Sequence, residues 1–102
     1  MDAKAKRRQA TDKVSAYHEQ CLSGLVSRVA DAIDRFRAGE VDAFAVDETI
    51  HQYHKAARQL WTFCWAGGSG AHIEAVAGTI DRLAGSDPAA EWWDRARPRR
   101  PL

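Results

Sequence analysis

The sequence predicts an all-α protein, either a three-helix bundle or a long antiparallel helical hairpin with a folded-back third helix, closed by a short C-terminal helix. Three observations carry that prediction. Apolar residues recur three and four apart through most of the chain, and no stretch alternates apolar with polar residues as a half-buried strand would. Ala is abundant while Pro is confined to Pro88, Pro98 and Pro101, a usage that favours helix over sheet.

The first helix is expected from near Lys4–Thr11 to about Ala38, with Thr11 a candidate N-cap and Val14, Tyr17, Cys21, Leu22, Leu25, Val26, Val29, Ile33 and Phe36 on its apolar stripe. Gly39 supplies its stop. Residues 40–46 connect it to the second helix, with Phe44 and Val46 plugging the turn. Asp47 is the expected N-cap of helix two, and Glu48 complements the dipole in its first turn. Ile50, Tyr53, Ala57, Leu60 and Cys64 then alternate steps of three and four, a coiled-coil-like seam that Trp61 and Trp65 widen. Gly67 and Gly68 end this helix and Ser69 caps the third, whose apolar face is Ile73, Val76, Ala77, Ile80, Leu83 and Ala84. After Gly85, Asp87-Pro88 reads as an N-cap with proline at the first helical position, opening a short helix through Trp92 and Trp93 to about Ala96.

The chain has 102 residues, 45% of them apolar and 28% charged. That is one domain at most, able to hold one modest core and too apolar to be disordered throughout. The three expected regions are a basic N-terminal arm (residues 1–13), a helical domain (14–96) and a basic Pro/Arg tail (97–102). Residues 1–13 carry five Lys/Arg against two Asp, and residues 94–102 carry four Arg against one Asp. Each end is thus +3, and with a net charge of +1 the middle of the chain is −5.

The charged N-terminus has no apolar stretch after it, so a signal peptide is not expected. No segment approaches about 18 consecutive apolar residues, so no membrane partner is expected either. Two cysteines, Cys21 and Cys64, are far from the dense disulfide set of a small secreted domain. A cytoplasmic location follows.

Candidate site residues concentrate on helix two. His51, His54, Lys55 and Arg58 are spaced three, one and three apart beside the apolar seam, with Asp47 and Glu48 one turn earlier. This is the composition of a partner-binding face or a small acid–base site, and equally that of a solvated face knitted by i,i+3 and i,i+4 pairs. Glu48-Thr-Ile-His51 has the Glu-x-x-His spacing of di-iron helical bundles. It occurs once, and Lys55 and Arg58 beside it oppose a divalent cation. A metal-binding bundle through Glu48 and His51 is therefore an alternative, and no cofactor is expected. There is no P-loop, no nucleophile elbow and no paired-cysteine zinc spacing, so an enzyme is not expected.

Adjacent Trp92 and Trp93 point about 100° apart on a helix, so core packing accounts for one and an interface for the other; both enter the partner-binding set. Core packing also accounts for Trp61. Lys4, Lys6, Arg7 and Arg8, with Arg97, Arg99 and Arg100, offer a second alternative. They are phosphate contacts for salt-dependent nucleic-acid binding without base readout.

The block Val46-Asp-Glu-Thr-Ile-His-Gln-Tyr-His-Lys-Ala-Ala-Arg-Gln-Leu-Trp-Thr-Phe-Cys64, with the following Gly-Gly-Ser-Gly and the late Trp-Trp-Asp-Arg, resembles a group of small uncharacterised helical proteins of actinobacteria. The resemblance covers about half the chain. It implies a cytoplasmic bacterial protein and draws attention to His51, Tyr53, His54 and Arg58, without implying an activity. The expected function is a non-enzymatic protein-interaction or regulatory role, antitoxin-like or as an accessory subunit. Helix one outlasts its partners, so a protein partner or self-association is expected there and on the 51–58 face.

Overall fold

A computed structural model describes residues 2–83, 85 and 87–98. These residues form four α-helices and no strand: α1 (Ala3–Arg37), α2 (Ala43–Trp65), α3 (Gly70–Arg82) and α4 (Pro88–Arg95). The all-α architecture with a short final helix is as the periodicity predicts.

Both long helices begin earlier than their apolar stripes suggest. Asp2, not Thr11, caps α1, its side chain accepting the Ala5 N–H at 2.7 Å. Ala3 to Ala10 are all strong helix formers, so nothing in the basic segment breaks the turn, and the expected arm is the first part of α1. Likewise Asp42, not Asp47, caps α2 by accepting the Ala45 N–H at 3.0 Å. Phe44 and Val46 therefore ride on the first turn of α2 and do not plug the loop; Phe44 is 85% exposed. Gly39, at φ +77°, closes α1 in the left-handed conformation that a side chain would strain.

The shorter helices follow their expected signals. The Ser69 side chain accepts the His72 N–H at 3.1 Å at the start of α3. Pro88 opens α4, although Asp87 makes no capping hydrogen bond and instead accepts from Arg28 at 3.2 Å. Ala84, expected on the face of α3, lies outside the described residues, as do Arg99 and Arg100.

α1 and α2 pair as an antiparallel hairpin, and α3 and α4 both pack on it. The core is Val14, Tyr17, Cys21 and Leu25 of α1, Ala56, Leu60 and Cys64 of α2, Val76 and Ala77 of α3, and Ala89 and Trp92 of α4. It occupies only one half of the hairpin. Beyond Leu25 of α1 and before Ala56 of α2 no side chain is buried. α1 alone is roughly 52 Å long at 1.5 Å per residue, nearly the 56 Å long axis of the molecule. The radius of gyration is 16.4 Å, where a compact chain of this length has about 13 Å.

α4 is held to the hairpin by a specific set of contacts. Trp92 is buried, its Nε1–H donates to the Tyr17 hydroxyl at 3.0 Å, and its ring lies 5.3 Å from that of Phe63. The Gln52 amide donates at 2.9 Å to the Trp93 carbonyl, which also accepts the Ala96 N–H at 3.2 Å in the last turn of α4. Ala89 sits against Gly24, where a Cβ would come within 2.5 Å of the alanine methyl.

Candidate protein-interaction surface

The position of α4 decides which side of the hairpin stays bare. Its contacts on α1 are Tyr17, Gly24 and Arg28, and on α2 they are Gln52 and Phe63. Val26 follows Gly24 by two residues and is turned about 200° from it, while Trp61 follows Gln52 by nine and is turned about 180°. These residues point to the opposite side. α3 docks on the α4 side, with Lys13 of α1 paired to its Asp81.

The bare side carries an apolar strip on each helix. On α1 it runs through Leu22, Val26, Val29, Ile33 and Phe36, of which Val26 (49%) and Phe36 (46%) are the most exposed. On α2 it runs through Val46, Ile50, Ala57 and Trp61, with Ile50 43% and Trp61 54% exposed. Two expectations are corrected here. Ile50 is not buried in the seam and Trp61 is not a core residue, because α3 and α4 both cover the other side. At the tip of the hairpin Phe36, Ala43, Val46, Asp47 and Ile50 line a shallow apolar hollow of about 180 Å³.

His51, His54, Lys55 and Arg58 are all exposed, and they divide between two directions. His54 lies at i+4 from Ile50 and i−7 from Trp61, within the apolar strip, and Arg58 borders it. His51 and Lys55 point outward, away from α1. His51 Nδ1 stands 3.6 Å from Asp47 Oδ2 with both side chains largely exposed, a contact worth little in water. Lys55, Arg58, Gln59 and Thr62 line a groove that belongs to one helix alone.

The tryptophan pair belongs to the fold. Trp92 is 4% exposed and cannot meet a partner while α4 is docked. Trp93 is half-buried, with the Arg28 guanidinium 5.8 Å over its ring. Glu48 and His51 find no further ligand: among the described residues no three His, Cys, Asp or Glu are grouped as metal ligands would be. Lys4, Arg7 and Arg8 lie three and four apart on one side of α1, and Lys6 projects from the opposite side. Arg7 packs against Gly70 and Arg97 pairs with Asp94 at 3.1 Å.

Sequence reasoning missed His18. Its Nδ1 accepts the Trp65 indole N–H at 2.9 Å, and burial lowers its pKa below the usual 6.5. Forty-seven residues separate the two, and no local pattern announces such a pair. Cys21 and Cys64 are free, fully buried and pushed up in pKa by desolvation, Cys64 to about 12. Burial also raises Tyr17 to about 12. Near neutrality these groups are uncharged core atoms, not nucleophiles.

Among the described residues no helix is long and apolar enough to cross a membrane. No family model matches the chain, and no curated protein or solved structure matches it.

Proposed function

We propose that this chain is a non-enzymatic helical interaction protein that binds a protein partner presenting an apolar helical surface. The working surface is the bare side of the α1–α2 hairpin, with His54 inside the strip and Arg58 at its edge. The observation that supports this reading is the exposure of Val26, Phe36, Ile50 and Trp61, all on the side that α3 and α4 leave open. Exposed tryptophan on an apolar face is the residue type that most often anchors a protein interface, and exposed apolar patches mark interaction sites on soluble proteins. An antitoxin or an accessory subunit works in this way, and a reducing cytoplasm keeps the two buried thiols free.

The test is a photo-cross-linking amino acid placed at Ile50 or Val26 in cells that express the full chain. Protein adducts are expected from both positions and not from Thr79 on α3. Absence of any protein adduct at both strip positions, with the chain folded and abundant, would overturn the reading.

A further inference from the structure

Resting on that reading, we infer that the partner on the bare side is a second copy of this chain, packed antiparallel so that Trp61 of each copy enters the tip hollow of the other. Three observations lead here. The first is area. The chain exposes 7158 Å², whereas a compact monomer of this mass exposes roughly 5,700 Å². An interface of standard size hides about 800 Å² per partner, which the excess accommodates. A two-helix face of this shape closes most directly on its own copy as a four-helix bundle.

The second is self-complementarity. A two-fold interface must bring each feature of one copy against a matching feature of the other. Trp61 projects from one end of the α2 strip, and the hollow of about 180 Å³ lined by Val46, Asp47 and Ile50 lies at the other end. The knob and the hollow are about 22 Å apart along α2 at 1.5 Å per residue. A two-fold axis through the strip midway between them, at the level of Tyr53 and His54, superposes each knob on the partner's hollow. Phe36 and Ile50 then supply the apolar walls.

The third is charge. In that arrangement Arg58, one turn before Trp61 at the rim, comes alongside the copy's Asp47 at the lip of the hollow. The symmetry makes this contact twice. A parallel arrangement instead leaves Trp61 over the level of Leu22 and the hollow unfilled.

The experiment is sedimentation velocity on the purified full chain from about 5 to 500 µM, a window that suits an interface at the smaller end of the specific class. A reversible monomer–dimer equilibrium is expected in this range. Trp61→Glu should raise the dimer dissociation constant by more than about 30-fold, the behaviour of an interfacial anchor, with the far-UV circular dichroism unchanged because the side chain is exposed. Phe44→Glu should leave it unchanged, since Phe44 is sixteen residues, about 160°, around α2 from core Leu60 and points away from the face. Orientation is read with a short bismaleimide, the native thiols being buried. His54→Cys, near the dyad, should cross-link to itself, whereas Phe44→Cys, about 29 Å from its mate, should not. A chain that stays monomeric at 500 µM, a dimer indifferent to Trp61→Glu, or a His54→Cys variant that fails to cross-link would overturn the inference. A monomer that still gives adducts to another protein in cells overturns the inference alone. Loss of all adducts overturns the interaction reading as well.

Discussion

At the scale of single residues, the clearest chemistry is the pairing of His18 with Trp65. The imidazole accepts the indole proton through Nδ1, which it can do only while that nitrogen carries no proton. Burial lowers the folded-state pKa of His18, so between that value and the unfolded value of about 6.5 the unfolded chain binds more protons. The contribution of this pair is therefore fully present above pH 6.5 and is lost as pH falls through the lowered pKa. Urea midpoints measured from pH 7.5 to pH 4.5 should decline in this window, and a His18→Gln variant should flatten that part of the profile. An unaltered profile in the variant would show that His18 contributes nothing to acid sensitivity. Tyr17 and Cys64 act at the other end of the scale: with both near 12 when folded, they favour the native state at neutral pH and withdraw that support as pH climbs above their unfolded values of about 9 to 10.

At the scale of elements, α4 is the part that chooses which side of the hairpin is covered, and its seat depends on a missing side chain. Gly24 faces Ala89 so closely that a Cβ would stand 2.5 Å from the alanine methyl, whereas a Cβ on Gly78 of α3 would meet nothing within 4 Å. The same substitution should thus have opposite signs. Gly78→Ala should stabilise by about 0.5–1 kcal/mol through helix propensity alone. Gly24→Ala gains the same term but must push α4 outward, and overpacking of this kind costs about 1–3 kcal/mol, so a net loss of about 1 kcal/mol is expected in urea denaturation. Equal stabilisation of both variants would mean that α4 is not seated on Gly24. The sequence disclosed the elements themselves well, because apolar spacing, Ser69 and Pro88 are local signals. It bracketed the start of α1 only loosely and misplaced that of α2, because Asp2 and Asp42 precede segments without a strong apolar stripe. It misassigned Trp61, Ile50 and Trp92 because periodicity marks an apolar face but not which of two adjacent faces receives the next helix. That choice is made by Gly24, Gln52 and Tyr17 through contacts 41 to 75 residues apart in sequence. The bare strip was not legible: the excess length of helix one is its N-terminal part, which α3 covers through contacts such as Lys13–Asp81, and the strip's register on α2 has no local signal.

At the scale of the whole molecule, the core is concentrated at one end of a hairpin that continues well beyond it. The packed end has two long helices covered by α3 and α4, with Cys21, Leu25, Leu60 and Cys64 fully buried. The other end has only two helices and a half-covered seam, and a two-helix unit without a third layer has little apolar area to hold it together. Protection against amide hydrogen exchange should follow this gradient, since exchange in poorly packed segments proceeds through local opening well below the global unfolding free energy. In dilute solution the amides of residues 12–25 and 56–64 should exchange only by global unfolding, and those of residues 30–48 should exchange orders of magnitude faster. Concentration then separates the two accounts of the tip. If its helices owe their stability to the hairpin alone, the exchange rates of residues 30–48 are the same at 5 and 500 µM. If the bare side is filled by a second copy, mass action adds RT ln(1 + [L]/Kd) to their protection. Their exchange should then slow at high concentration, together with that of the core amides that exchange by global unfolding, while amides of α3 that open locally stay as they were. Trp61→Glu, which leaves the packed end intact, should abolish that concentration dependence without altering the dilute-solution pattern.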